Sequence, residues 1–117
     1  MKRVVVFEGE KAAKRFELCR IAILGAGDAK GPRNRETIRR EARLLDAFDA
    51  VSAADPKADE KDPDARVLKP EGGSVTISQE DHVLLATYLD TTPWMPRIAR
   101  AVVDAQDWLS AAEKVEG

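Results

Sequence analysis

Thirteen residues near the middle of the chain, Ala53 to Ala65, read AADPKADEKDPDA, with five acids, two lysines and two prolines. Proline lacks a backbone donor, and the run has no hydrophobic periodicity, so it fits neither a helix interior nor a sheet. It is read as an acidic loop about 53–65. The core must then come from the two flanking blocks, within one domain covering Met1 to Gly117.

In the first block, Val4 to Phe7 is β-branched and aromatic and is closed by Glu8 and Gly9, the pattern of a short strand buried on both faces. From Lys11 to Leu24 the spacing predicts a helix, with Ala12, Phe16, Cys19 and Ile23 turned inward and Gly25 as its C-cap. Asn34 is the N-cap of a second helix, and Glu36 favours the positive end of its dipole. That helix is expected to run to about Val51. Ile38, Ala42, Leu45 and Asp49 share one side of it, whereas Arg35, Arg39, Arg43 and, more loosely, Arg40 form a basic ridge on another.

In the second block, Arg66 to Lys69 and Ser74 to Ile77 flank the turn residues Pro70, Glu71, Gly72 and Gly73, a β-hairpin signal. With the first strand this makes a three-stranded sheet. Ser78, with Asp81 in place of the usual Glu of a capping box, opens a helix from Gln79 to about Asp90 whose core face is Leu85, Tyr88 and Leu89. Thr92 caps a last helix with Pro93 at its first position and Pro96 still near its start. Two stripes run along it: Met95, Ile98, Val102, Ala105, Leu109 and Ala112 at three-four spacing, and Trp94, Ala101, Trp108 and Val115 every seven residues. The expected fold is α+β and helix-dominated: a short three-stranded antiparallel sheet, the N-terminal strand plus a hairpin, packed with about four helices.

Charge divides the chain more sharply than composition does. Met1 to Leu45 holds 12 Lys and Arg against 6 Asp and Glu, or +6; Asp46 to Gly117 holds 7 against 15, or −8. Such asymmetry concerns what each surface attracts, and it points to binding rather than chemistry. Lys30, Arg33, Arg35, Arg39, Arg40 and Arg43 lie within fourteen residues, and guanidinium forks suit phosphate or carboxylate partners. Glu36 and Glu41 interrupt the group, and Glu36 can pair with Arg40 one turn on. Trp94, Met95, Ile98 and Trp108 are the candidate protein interface, because Trp and Met are enriched at protein contacts; the alternative is that they are core.

Catalytic readings fail on spacing. RIAILGAGDAKG resembles a nucleotide-binding turn, but Lys30 stands where the third glycine of GxGxxG belongs, and Gly31 is one place late. His82 is the only histidine, without ligand spacing to other residues, and reads as a surface residue in a helix's first turn. Glu8 and Glu10 read as the solvated end of a strand, and Asp59, Glu60, Asp62 and Asp64 lack the alternation of an EF-hand loop. Cys19 has no partner cysteine, so a buried hydrophobe in a reducing compartment is expected. The apolar run after Lys2 and Arg3 is too short for a signal peptide, so the cytoplasm is the expected location.

The residues therefore predict no catalytic, cofactor-binding or metal site and no enzyme. They predict a small non-enzymatic protein–protein interaction module, a self-associating or adaptor subunit of a larger assembly, with no membrane partner. The alternatives are a nucleic-acid-associated protein using Arg35, Arg39, Arg40 and Arg43, and an acidic decoy or inhibitor acting through the loop. The basic and acidic halves could meet within one subunit or between neighbours.

Overall fold

A computed structural model describes residues 1–30, 34–57 and 65–116. Arg33 and the acids Asp59, Glu60, Asp62 and Asp64 lie outside them, as does the side chain of Lys30. The elements run β1 (Lys2–Phe7), α1 (Ala12–Lys30), α2 (Arg35–Asp49), β2 (Ser52–Ala54), β3 (Arg66–Leu68), β4 (Gly73–Ser78), α3 (Gln79–Thr91), a 3-10 turn (Pro96–Ile98), α4 (Ala99–Ser110) and β5 (Glu113–Val115). The fold is α+β and helix-dominated, with a three-stranded antiparallel sheet in the order β4-β1-β5 and a separate β2-β3 pair. Among the described residues no helix is long and apolar enough to cross a membrane.

The third strand of the sheet differs from the expected one. β3 turns away from β4 and pairs with β2, Ser52 opposite Leu68 and Ala54 opposite Arg66. The Arg66 guanidinium fixes this choice: it donates to Ser52 Oγ at 2.8 Å and to the Ser52 carbonyl at 2.8 Å, and pairs with Asp49 at 3.1 Å. The turn after β3 forms as expected, Gly72 N–H donating to the Lys69 carbonyl at 2.8 Å. Gly72 sits at φ 67°, and a Cβ there would collide with the Phe7 carbonyl, so glycine is required. The place beside β1 goes instead to β5, with Lys2 opposite Val115 and Val4 opposite Glu113.

β1 is not buried on both faces. Arg3, Val5 and Phe7 point inward, whereas Val4 is half-buried and Val6 is exposed. β4 alternates likewise, with Val75 and Ile77 inward and Ser74 and Thr76 outward. Helices thus cover one face of the sheet. The covered face meets α1 through Phe16, Leu18, Cys19 and Ile23, α2 through Leu44 and Phe48, α3 through Leu85 and Leu89, and α4 through Val102, Ala105 and Leu109. Phe7 is central: its ring lies 5.8 Å from Phe16, 5.8 Å from Phe48 and 5.1 Å from Trp108, close to the edge-to-face geometry favoured by aromatic quadrupoles in the first two pairs.

Two helices depart from expectation. α1 does not stop at Gly25 but continues to Lys30; each of its two glycines, Gly25 and Gly27, costs only about 1 kcal/mol relative to alanine, and Gly25 has no positive φ. Arg20 to Lys30 of the stretch that resembled a nucleotide-binding turn is therefore helix, while Gly31 lies outside the described residues. The final long helix is broken: Thr92 closes α3, its N–H donating to the Tyr88 carbonyl at 3.0 Å, and α4 begins only at Ala99. Pro93 and Pro96 withhold the donors a continuous helix would need. At the other end Val115 belongs to β5, which ends the seven-residue stripe.

The caps follow the sequence. Asn34 Oδ1 accepts from Thr37 N–H at 2.8 Å, and Ser78 Oγ from Asp81 N–H at 3.1 Å. α2, however, is rotated by about one position from the expected setting, burying Glu41, Leu44 and Phe48 and leaving Ile38 49% exposed. A buried carboxylate is tolerable here because Tyr88 Oη donates to Glu41 Oε2 at 2.7 Å.

Candidate functional site

The basic ridge is half engaged inside the subunit. Arg43 reaches the first turn of α3, where Nε and Nη2 donate to the two oxygens of the buried Asp81 at 3.3 and 3.1 Å. That bidentate bond raises the Arg43 pKa above its usual value. Arg40 donates to Glu36 at 2.8 Å and to Glu80 at 3.4 Å. Arg35 and Arg39 are exposed and make no ion pair among the described residues. Elsewhere Asp104 on α4 accepts from Arg15 at 2.9 and 3.1 Å and from Lys11 at 3.3 Å, and the Arg15 bonds are the main reason its carboxyl is held below the usual range. Acids of the second half thus meet bases of the first within one chain.

The four residues of the candidate aromatic interface do not share a helix face. Trp94 is half-buried, and its indole donates to the Leu89 carbonyl at 2.8 Å. Met95 is 59% exposed, and Ile98 packs against the core from the 3-10 turn. Trp108 lies on α4, with its indole donating to the Val6 carbonyl at 3.0 Å and Arg15 5.5 Å over its ring. Both indole N–H groups are therefore used in holding the fold, and Met95 alone of the four projects into solvent.

Two surfaces escaped sequence reasoning. The first is the outer edge of β4. Its six residues, GSVTIS, carry no charge and no proline, and among the described residues β1 is their only strand neighbour. α2 flanks this edge across a cavity of about 350 Å³ lined by Arg43, Asp46, Ala47, Thr76, Ile77, Ser78 and Asp81. The edge continues into the uncovered sheet face, where Val4 and Val6 stand beside Ser74 and Thr76. The alternation Ser74, Val75, Thr76, Ile77 announced a one-sided strand; its edge position depends on β3 choosing β2.

The second is a groove of about 500 Å³ between α3 and α4, lined by His82, Val83, Ala86, Leu89, Gln106 and Leu109 and closed at one end by Arg3. His82 is not a surface residue. It is 5% exposed, and Nε2 lies 2.7 Å from the Leu109 carbonyl, which can only accept, so Nε2 carries the proton. Burial, reinforced by the charges of Arg3 and Lys114, pulls its pKa below the ordinary value despite the bond to Leu109. Cys19 is fully buried and free, and desolvation pushes its thiol up to about 12. Among the described residues no group of three or more His, Cys, Asp or Glu side chains is placed to hold a metal ion.

Compared with protein families, curated proteins and solved structures, the chain matches none.

Proposed function

We propose that this chain is a small non-enzymatic protein–protein interaction module, a self-associating subunit of a larger assembly, that meets a second copy through the outer edge of β4. The observation that carries the reading is the composition and pairing of this edge: uncharged, proline-free and, among the described residues, hydrogen-bonded to no strand but β1. Edge strands of proteins that remain apart are usually blunted by charge, proline, a bulge or a covering element, because their free N–H and C=O groups template pairing with another chain. β4 is six residues long, uncharged and proline-free. Antiparallel addition of a second β4 would satisfy those groups and join two sheets into one, with the bare valine face running across the junction.

The charge distribution supports main-chain pairing over electrostatic assembly, since Arg40, Arg43 and Arg15 already have partners in their own subunit. A reducing compartment such as the cytoplasm suits a module whose one cysteine is free and buried. Amide hydrogen exchange over a dilution series tests the proposal: β4 amides should lose protection as the concentration falls, while those of α1 do not. Exchange in β4 that is independent of concentration would count against it.

A further inference from the structure

The groove between α3 and α4 ends on a cation that has no counter-charge among the described residues. Arg3 is 9% exposed, donates from Nε to Gln79 at 3.0 Å and from Nη1 to the Ala112 carbonyl at 2.6 Å, and has no carboxylate partner among the described residues. Buried charges are ordinarily paired, because an uncompensated ion in a low-dielectric setting is costly. The nearest acids on α3 are turned elsewhere: Glu80 bonds Arg40 and Asp81 bonds Arg43.

The sheet register sharpens the imbalance. Arg3 stands directly opposite Lys114 of β5, two like charges in a cross-strand pair, an arrangement that destabilises unless an anion lies between or beside them. His82 adds no negative charge. Away from Arg3 the groove becomes apolar, through Val83, Ala86 and Leu89, and Asp90 stands at the far end. Gln79 and Asp90 are eleven residues apart on one helix, or about 16 Å.

We propose that this groove binds a small organic carboxylate with an apolar body, its carboxylate on the Arg3 guanidinium and its body along Val83, Ala86 and Leu89. Bidentate geometry suits a guanidinium fork with free donors, and the apolar stretch provides the burial that a bare anion could not exploit. Asp90 sets the polarity, because it repels a second acidic group and so orients the ligand with its single carboxylate toward β1.

Octanoate is the probe, titrated into the full chain while amide and methyl NMR shifts are followed. Acetate supplies the charge without the body, inorganic phosphate an anion of another shape, and 1-octanol the body without the charge. The proposal expects saturable shifts at Val83, Ala86 and Leu89 with octanoate, and affinities at least about tenfold weaker for the other three, in keeping with the strength of a hydrogen-bonded charge pair. Arg3→Gln should weaken octanoate at least about tenfold. Because Arg3 also ties β1 to Gln79 of α3 and to Ala112, just before β5, Val83→Asp serves as the second variant: it sets an acid on an exposed position of the groove and should weaken octanoate similarly with the fold intact. Absence of octanoate shifts in the groove, acetate or phosphate binding as tightly as octanoate, or unchanged affinity in a folded Val83→Asp protein would each overturn the proposal.

Discussion

Trp108 donates its indole N–H to the main-chain carbonyl of Val6 at 3.0 Å, beyond Val4, the last β1 residue that β5 pairs with. One side of the sheet is therefore finished by a side chain, whereas on the other side α2 stands across a cavity from β4 and no further strand pairs with it among the described residues. Trp108→Phe keeps most of the ring packing on Phe7 but removes the donor. Its expected cost is about 1 kcal/mol, read as a lowered midpoint in urea with an unchanged slope.

Tyr88→Phe probes the buried carboxylate of α2. Glu41 would lose the 2.7 Å hydroxyl bond while remaining 6% exposed, and removing one partner of a buried charged acceptor costs about 1–3 kcal/mol. Glu41→Gln combined with Tyr88→Phe should cost less than the sum of the two single substitutions, because both act on the same hydrogen bond. A double-mutant cycle measures that coupling.

His82 gives the fold a pH dependence of known sign. Its pKa is lowered on folding, so the unfolded chain binds more protons as the pH falls below about 6.5, the unperturbed value, and acidification through that region destabilises the protein. Asp104, with its pKa also lowered, contributes stability above the ordinary carboxylate range that is lost only at lower pH. His82→Gln should flatten the loss of stability between pH 6.5 and the folded pKa of the histidine, and denaturant midpoints at a series of pH values would reveal it.

The arginines of α2 should separate into two classes. Arg39→Glu alters a charge without a partner among the described residues and should stay within about 0.5 kcal/mol of the parent. Arg43→Glu places a like charge against the buried Asp81 and should lower the thermal midpoint clearly more. Neither should change the assembled mass if main-chain pairing holds the copies together.

Much of the fold was legible because local signals and packing agreed. Phe16, Cys19 and Ile23 of α1 and Leu85, Tyr88 and Leu89 of α3 lie buried at the positions their spacing predicts, and Asn34 and Ser78 cap as their side chains dictate. What was hidden depended on partners distant in sequence. β2 and β5 are three residues each, SAA and EKV, with too little β-branched character to announce a strand, and once they pair the hairpin partner of β4 is lost. Arg3 was obscured because Val4 to Phe7 reads as a continuous apolar run, whereas the observed period is two and begins at Arg3. His82 looked exposed because nothing local shows that α4 places the Leu109 carbonyl against it. The Arg35 to Arg43 ridge was visible, but not that Arg40 and Arg43 would be engaged by α3.

Absolute mass by light scattering after size exclusion, over a range of protein concentrations, tests self-association through β4 most directly, with a Ser74→Lys/Thr76→Lys variant run beside the parent. Both substituted side chains are exposed on the uncovered face and would blunt the edge without entering the core. The account predicts a discrete multiple of 12.9 kDa for the parent, free of nucleic acid by its absorbance ratio, and a 12.9 kDa species for the variant. A parent that remains at 12.9 kDa at every concentration, or a variant that assembles as the parent does, would contradict it.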